Sequence, residues 1–134
     1  MALAKKLGAH IYIGGSAADA AELQKLGDAS VILATAPSGK AMSPLVGGLG
    51  SNGRMMIVGA PPDAVEASPA ALIFGRRSLQ GRYSGIPTDS EVTLRFAEMT
   101  GVRPMIEKYP LEKAAQAYAR MMSGKAEFRV VLTM

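Results

Sequence analysis

The run Ser30-Val31-Ile32-Leu33-Ala34-Thr35-Ala36 decides how this chain is read. It is apolar at almost every position, without the polar alternation of a strand that has one wet face, so it predicts a strand covered on both sides, as in parallel sheets. Pro37-Ser38-Gly39 then turns the chain away. The same grammar recurs downstream. Arg54-Met55-Met56-Ile57-Val58 ends in Gly59-Ala60-Pro61 and predicts a second buried strand. Ser78 to Ser84 predicts a third, more polar one, and Phe128 to Met134 a last one. Upstream, Ile11-Tyr12-Ile13 predicts a short strand closed by Gly14-Gly15.

Helix signals lie between these runs. Ser16 opens a capping pattern that leads into a helix over 17–26, stopped by Gly27. Lys40 to Leu49 reads as a weak helix interrupted by Pro44 and Gly47-Gly48. Ser68-Pro69 places a capping hydroxyl before proline at the first helical position, opening a short helix over 70–74. Thr88-Asp89-Ser90-Glu91 is a capping box for a helix whose Val92, Leu94, Phe96 and Met99 are expected to supply apolar contacts before Gly101. After the run Met105 to Tyr109, the apolar residues Leu111, Ala114, Ala115, Tyr118, Met121 and Met122 recur at helical spacing up to Ser123-Gly124. The order is βαβαβαβα, then βαβ. Strands alternating with helices imply an α/β fold with a mainly parallel sheet and right-handed crossovers. Ala2 to Gly8 has the form of the last two turns of a helix, and is expected to be part of a longer element.

The chain has 134 residues, the size of one ordinary domain, and 49% of them are hydrophobic, which excludes disorder. It has no cysteine and one histidine. That removes disulfides, thiolate nucleophiles and thiolate-ligated zinc, and leaves His10 without the partners a base or metal ligand needs. The net charge is +4, but the basic residues are interspersed with acids, and four tyrosines and three phenylalanines form no stacking platform. Nucleic-acid binding is therefore not expected. No apolar run is long enough to span a bilayer and no secretory signal precedes Gly8, so a cytoplasmic setting without membrane contact is expected. The paired methionines Met55-Met56 and Met121-Met122 read as adaptable core.

In parallel sheets, ligands bind beyond the carboxyl ends of the strands. Those ends here are Thr35-Ala36, Val58-Gly59-Ala60 and Tyr83-Ser84-Gly85, all rich in small residues that let a ligand approach main-chain groups. Gly48-Leu49-Gly50-Ser51-Asn52-Gly53 matches G-x-G-x-x-G as a string. It follows a helix and precedes a strand, the reverse of the order that aims helix N–H groups at a pyrophosphate, and so reads as a turn.

The succession Lys-Leu-Gly-Ala-His at 6–10, Val-Ile-Leu-Ala-Thr-Ala at 31–36, Gly-Arg-Met-Met-Ile-Val-Gly-Ala at 53–60 and Ser-Gly-Lys-Ala-Glu-Phe-Arg-Val-Val-Leu at 123–132 resembles zinc-dependent alcohol dehydrogenases of the medium-chain dehydrogenase/reductase superfamily. The likeness runs end to end and concerns the carboxyl-terminal part of the family. It implies a partial Rossmann-like three-layer fold, with residues 1–109 forming part of an NAD(P)-binding domain and 110–134 a helix and strand that pack back toward the catalytic domain. It implies coenzyme contacts from Ala34, Thr35 and Ala36 on the adenosine and ribose side. Val58, Gly59 and Ala60 would lie along the nicotinamide, Tyr83, Ser84 and Gly85 near the carboxamide, and Arg129 at the pyrophosphate, where a planar guanidinium pairs two phosphate oxygens.

The cofactor implied is NAD or NADP, with weak or absent binding expected of this chain alone. The family's zinc ligands, its glycine fingerprint and the residue that separates NAD from NADP all lie upstream of the part matched here. No zinc is therefore expected on this chain, catalysis by it alone is not expected, and coenzyme choice stays open. The implied partners are the dinucleotide and a second copy of the chain, paired through the sheet edge at Ser78 to Ser84. The rival reading is a non-catalytic binding or oligomerisation module derived from the same fold, its sheet edges used for association.

Overall fold

A computed structural model describes residues 2–14, 19–83 and 85–134. Its elements are α1 (Ala2–Lys6), α2 (Asp19–Lys25), β1 (Ala29–Ala34), α3 (Gly39–Met42) and β2 (Leu49–Ile57), with a 3-10 turn over Ser43–Gly48 between α3 and β2. There follow α4 (Pro69–Gly75), β3 (Ser78–Gly81), α5 (Pro87–Thr100), β4 (Ile106–Pro110), a 3-10 turn over Leu111–Lys113, α6 (Ala114–Met122) and β5 (Arg129–Thr133). The chain divides into two compact units, Met1–Ser84 and Gly85–Met134.

The first unit is built on a three-stranded sheet of order β1-β2-β3, parallel throughout. Ile32 registers with Met55 and Met55 with Leu79, so these side chains share one face of the sheet. That face is covered. Ala34, Met42, Val46, Leu49 and Met55 form the buried core, with Leu45, Leu72 and Val65 packed against it from the helices and the loop after β2. The neighbouring register row is Leu33, Met56 and Gln80. On that face Val31 and Leu33 are each 64% exposed. The apolar run predicts cover on both faces; among the described residues the first unit covers one.

The second unit pairs β4 with β5 in parallel and lays α6 against them. Parallel pairing requires a crossover between the strands, and α6 supplies it. Both units are thus α/β with parallel strands, as the alternation of apolar runs and helix signals predicts.

Several elements differ from the sequence reading, each for a physical reason. Ile11-Tyr12-Ile13 forms no strand, because no other described strand pairs with it. The expected helix over 40–49 is instead four α-helical residues and a 3-10 turn, Pro44 lacking the N–H that a continuous helix needs. β2 begins at Leu49 rather than Arg54. Between the pairs Ala29–Leu49 and Val31–Arg54, β2 takes five steps where β1 takes two, an excursion that carries Asn52 through φ 59°. The string G-x-G-x-x-G, expected as a turn, is instead Gly48 at the end of the 3-10 turn and the first five residues of β2 itself, so no helix N-terminus directly follows it.

β3 stops at Gly81, short of Ser84, which lies with 15–18 outside the described residues; the expected Ser16 cap falls there too. α4 starts after Ser68 as expected, with Pro69 in its first turn, though the Ser68 hydroxyl makes no capping bond. The capping box of α5 lies two residues ahead of the expected one: the Ile86 N–H donates to the Asp89 carboxylate at 2.9 Å and the Ile86 carbonyl accepts the Asp89 N–H. Val92, Leu94, Phe96 and Met99 are at least 60% exposed. At about 100° per residue Val92, Phe96 and Met99 fall on one stripe, at i, i+4 and i+7, with Leu94 on the far side of the axis; the stripe is nonetheless exposed. Among the described residues, no helix is long and apolar enough to cross a membrane.

Candidate functional site

The three strands of the first unit end together. The last ladder pairs are Ala34 with Ile57 and Ile57 with Gly81, and all three strands run the same way, so the chain leaves them at one rim. Pairing continues one step beyond. Val58 and Gly59 N–H groups both donate to the Ala34 carbonyl, at 3.0 and 3.1 Å, and the Arg82 N–H donates to the Ile57 carbonyl at 2.9 Å.

Gly59 is the tightest point. A β-carbon there would come 2.5 Å from the Ala36 carbonyl oxygen and 2.8 Å from that of Thr35, so any larger residue would push the two strand ends apart. Ala34–Ala36 and Val58–Ala60 therefore form one surface of main chain and small side chains. Thr35, Val58 and Ala60 are exposed on it, and Tyr83, just past β3, is 91% exposed. Ser84 lies outside the described residues. Gly85 and Arg129 belong to the second unit. Gly85 is packed against the Asp89 side chain. Arg129 opens β5 opposite Ile106, its N–H donating to the Met105 carbonyl at 3.3 Å. The residue is exposed, and among the described residues its guanidinium forms no salt bridge.

Two polar ties escaped the sequence reading. In the first unit the Asp63 carboxylate accepts the Lys40 N–H at 2.9 Å. The N–H groups of Gly39 and Lys40 together hold Asp63 below the usual carboxylate range. Ser43 Oγ donates to the Gly39 carbonyl at 2.7 Å and accepts the Glu66 N–H at 2.9 Å. Gly39 has no room for a β-carbon, which would lie 2.7 Å from the Asp63 carbonyl and nearer still to that of Ala64. The loop after β1 and the loop after β2 are thus clasped together next to the rim. In the second unit Arg120 forms a two-pronged pair with Glu107, 2.7 Å through Nε and 2.8 Å through Nη2, and Glu107 Oε1 also accepts the Glu127 N–H at 2.9 Å. Hydrogen bonding from Arg120 and then Glu127 lowers the Glu107 carboxyl to about 2. No local signal marks either tie, since the partners are 23 and 13 residues apart.

Metal chemistry finds no footing in the chain's own residues. Cysteine is absent, His10 is the one histidine, and among the described residues no three His, Cys, Asp or Glu side chains cluster closely enough to hold an ion. The residues present do not fit zinc. A dinucleotide fits better: a rim of parallel strand ends, narrow at Gly59 and free of bulky side chains, offers the close main-chain approach that pyridine nucleotides require.

The fold and this rim define a Rossmann-like coenzyme-domain architecture. The family model for zinc-binding dehydrogenases matches residues 1–99, and the chain belongs to that family. It is 42% identical over 132 residues to the alcohol dehydrogenase patD of Penicillium expansum, covering 98% of this chain and 38% of that protein. It is 40% identical over 134 residues to the alcohol dehydrogenase notN of an Aspergillus species, covering 99% of this chain and 39% of that protein. Among solved structures, an alcohol dehydrogenase zinc-binding domain protein from Burkholderia ambifaria aligns with TM-score 0.81 and 26% identity, over 99% of this chain and 39% of that one. A cinnamyl alcohol dehydrogenase from Sorghum bicolor aligns with TM-score 0.76 and 29% identity, over 97% of this chain and 36% of that one. The chain spans about two fifths of the length of the curated relatives it matches.

Proposed function

We propose that this chain is the coenzyme-holding portion of a zinc-dependent alcohol dehydrogenase, and that it binds NAD or NADP without catalysing a reaction by itself. The observation that carries this reading is the single rim formed by the ends of β1, β2 and β3 in a chain of this family. Ala34, Thr35 and Ala36 would lie along the adenosine and ribose, Val58, Gly59 and Ala60 along the nicotinamide, and Tyr83, Ser84 and Gly85 near the carboxamide. Arg129 would pair the pyrophosphate, and its exposure, without a salt bridge among the described residues, supports that role. Bound there, the nicotinamide supplies hydride-transfer chemistry; the chain's own residues bind and orient it. The complete enzyme would act on an alcohol or aldehyde, with zinc held by residues other than those present here.

Residues 110–134, a helix and a strand of the second unit, would pack back toward a catalytic domain. An apolar groove lined by Ala114, Ala117, Tyr118, Met121, Val130 and Leu132 supports this, since it offers a surface for such packing. The test is a titration with NADH and with NADPH, following nicotinamide fluorescence. Saturation by one of them below millimolar concentration is expected, and the preferred one names the coenzyme. A linear response to both up to millimolar concentration would overturn the reading.

A second reading, a non-catalytic assembly module in the cytoplasm, is favoured by the sheet itself. β1 and β3 are edge strands among the described residues, and Val31 and Leu33 face outward. On either reading two copies would pair through the β3 edge. Sedimentation velocity checks this: a dimer is expected, and a concentration-independent monomer would refute the pairing.

A further inference from the structure

We infer that Glu107 is a positioning residue for Arg129, acting through the main chain of the segment that leads from α6 into β5. The inference rests on the reading in which Arg129 meets the coenzyme pyrophosphate. Glu107 registers with Val130, so both side chains stand on one face of the two-stranded sheet, and Arg120 of α6 meets Glu107 there. Arg129 is the adjacent position on β5, and its side chain leaves from the opposite face. Glu107 therefore does not touch the Arg129 guanidinium. It reaches the backbone instead.

Three consecutive N–H groups anchor the entry to β5. Glu127 donates to Glu107 Oε1 at 2.9 Å, while Phe128 and Arg129 donate to the Met105 carbonyl at 3.2 and 3.3 Å. Of these, the bond to Glu107 is charge-assisted, and the carboxylate that accepts it is itself held on both oxygens by Arg120. One side chain thus ties β4, α6 and the residue two positions before Arg129.

The test combines substitutions with two readouts on the full chain. Glu107→Ala is expected to weaken NADH binding about fivefold to tenfold, the net scale of one hydrogen bond. It should also speed hydrogen exchange at the Glu127 and Arg129 amides. Glu107→Gln keeps an oxygen for the Glu127 N–H and should recover most of both losses. In an Arg129→Ala background, Glu107→Ala should cost no further affinity, because its effect runs through the missing guanidinium.

Unchanged exchange at the Glu127 and Arg129 amides in Glu107→Ala would overturn the inference, as would an equal affinity loss with and without Arg129. Arg120→Ala releases the same carboxylate from its other partner, and the same two readouts on that variant decide the matter if Glu107→Ala does not fold. If the unaltered chain does not saturate with NADH, or Arg129→Ala binds it unchanged, the coenzyme reading itself falls. The exchange experiment separates that failure from failure of the tie.

Discussion

The two units share a parallel-strand grammar and close it by different means. The first buries Met42, Leu49 and Met55 almost completely between its sheet and the segments packed on it. The second has one buried hydrophobic residue among those described, Ala117, and is fastened by strand pairing and the Glu107–Arg120–Glu127 tie. The difference teaches where each unit is vulnerable. Dispersion and water exclusion respond to volume and ignore pH, whereas a carboxylate–guanidinium tie responds to protonation.

The largest effect that would break this contrast is at Leu49, fully buried at 0% exposure. Leu49→Ala removes the branched end of the side chain from a core that collapses only partly around the gap, at a cost of about 2–5 kcal/mol. Chemical denaturation read through amides of β1, β2 and β3 should show that loss. A cost below about 1 kcal/mol would mean that the first unit is not held by its apolar core.

What could be read from sequence divides along the same line. Apolar runs announce buried strands because burial is a property of each residue, so β1, β2 and β3 and their shared direction were legible, and with them the rim at Ala36 and Ala60. Signals at helix ends are local too, and Pro69 and Gly101 mark the boundaries the structure shows. Pairing is different in kind. Ile11-Tyr12-Ile13 has strand composition but no described strand beside it, and β2 gains five residues at its start from an excursion no periodicity encodes. The ties at Asp63 and Glu107 were invisible because each joins residues that only the folded chain brings together. The rim was therefore foreseeable, whereas the bonds that hold its loops were not.

The next effect sharpens the contrast through pH. Glu107 titrates near 2 in the folded chain, below its ordinary value of 4.5. A depressed carboxyl stabilises the fold above its unfolded value, and that stabilisation is withdrawn as pH falls from 4.5 through 2. Arg120 is the charged group that faces it, itself within reach of Tyr109 and Glu127, and the arginine stays charged throughout. Protection of the β4 and β5 amides, measured against their intrinsic exchange rate at each pH, should fall over that window, and Arg120→Ala should flatten the dependence. Asp63 is lowered as well, so its clasp on Gly39 and Lys40 loosens in acid in the same direction, while the amides around Leu49 and Met55 should hold longer. If core amides of the first unit open before those of β4 and β5, the assignment of polar closure to the second unit is wrong.

The smallest effect is at Glu91 and Arg95, one turn apart on α5 at 2.7 Å, with side chains 61% and 73% exposed. Distance alone would rank this pair with Glu107 and Arg120, also at 2.7 Å, but there the side chains are 24% and 35% exposed. Solvent screens the α5 pair, and fixing two long side chains costs entropy, so Glu91→Gln should cost no more than about 0.5 kcal/mol and vanish in high salt. Arg120 differs because its partner also accepts a main-chain N–H, so losing it frees a carboxylate that organises the backbone. A midpoint shift in thermal unfolding for Glu91→Gln as large as that for Arg120→Ala would show that geometry at one pair of atoms, and not the third partner, sets the strength of these ties.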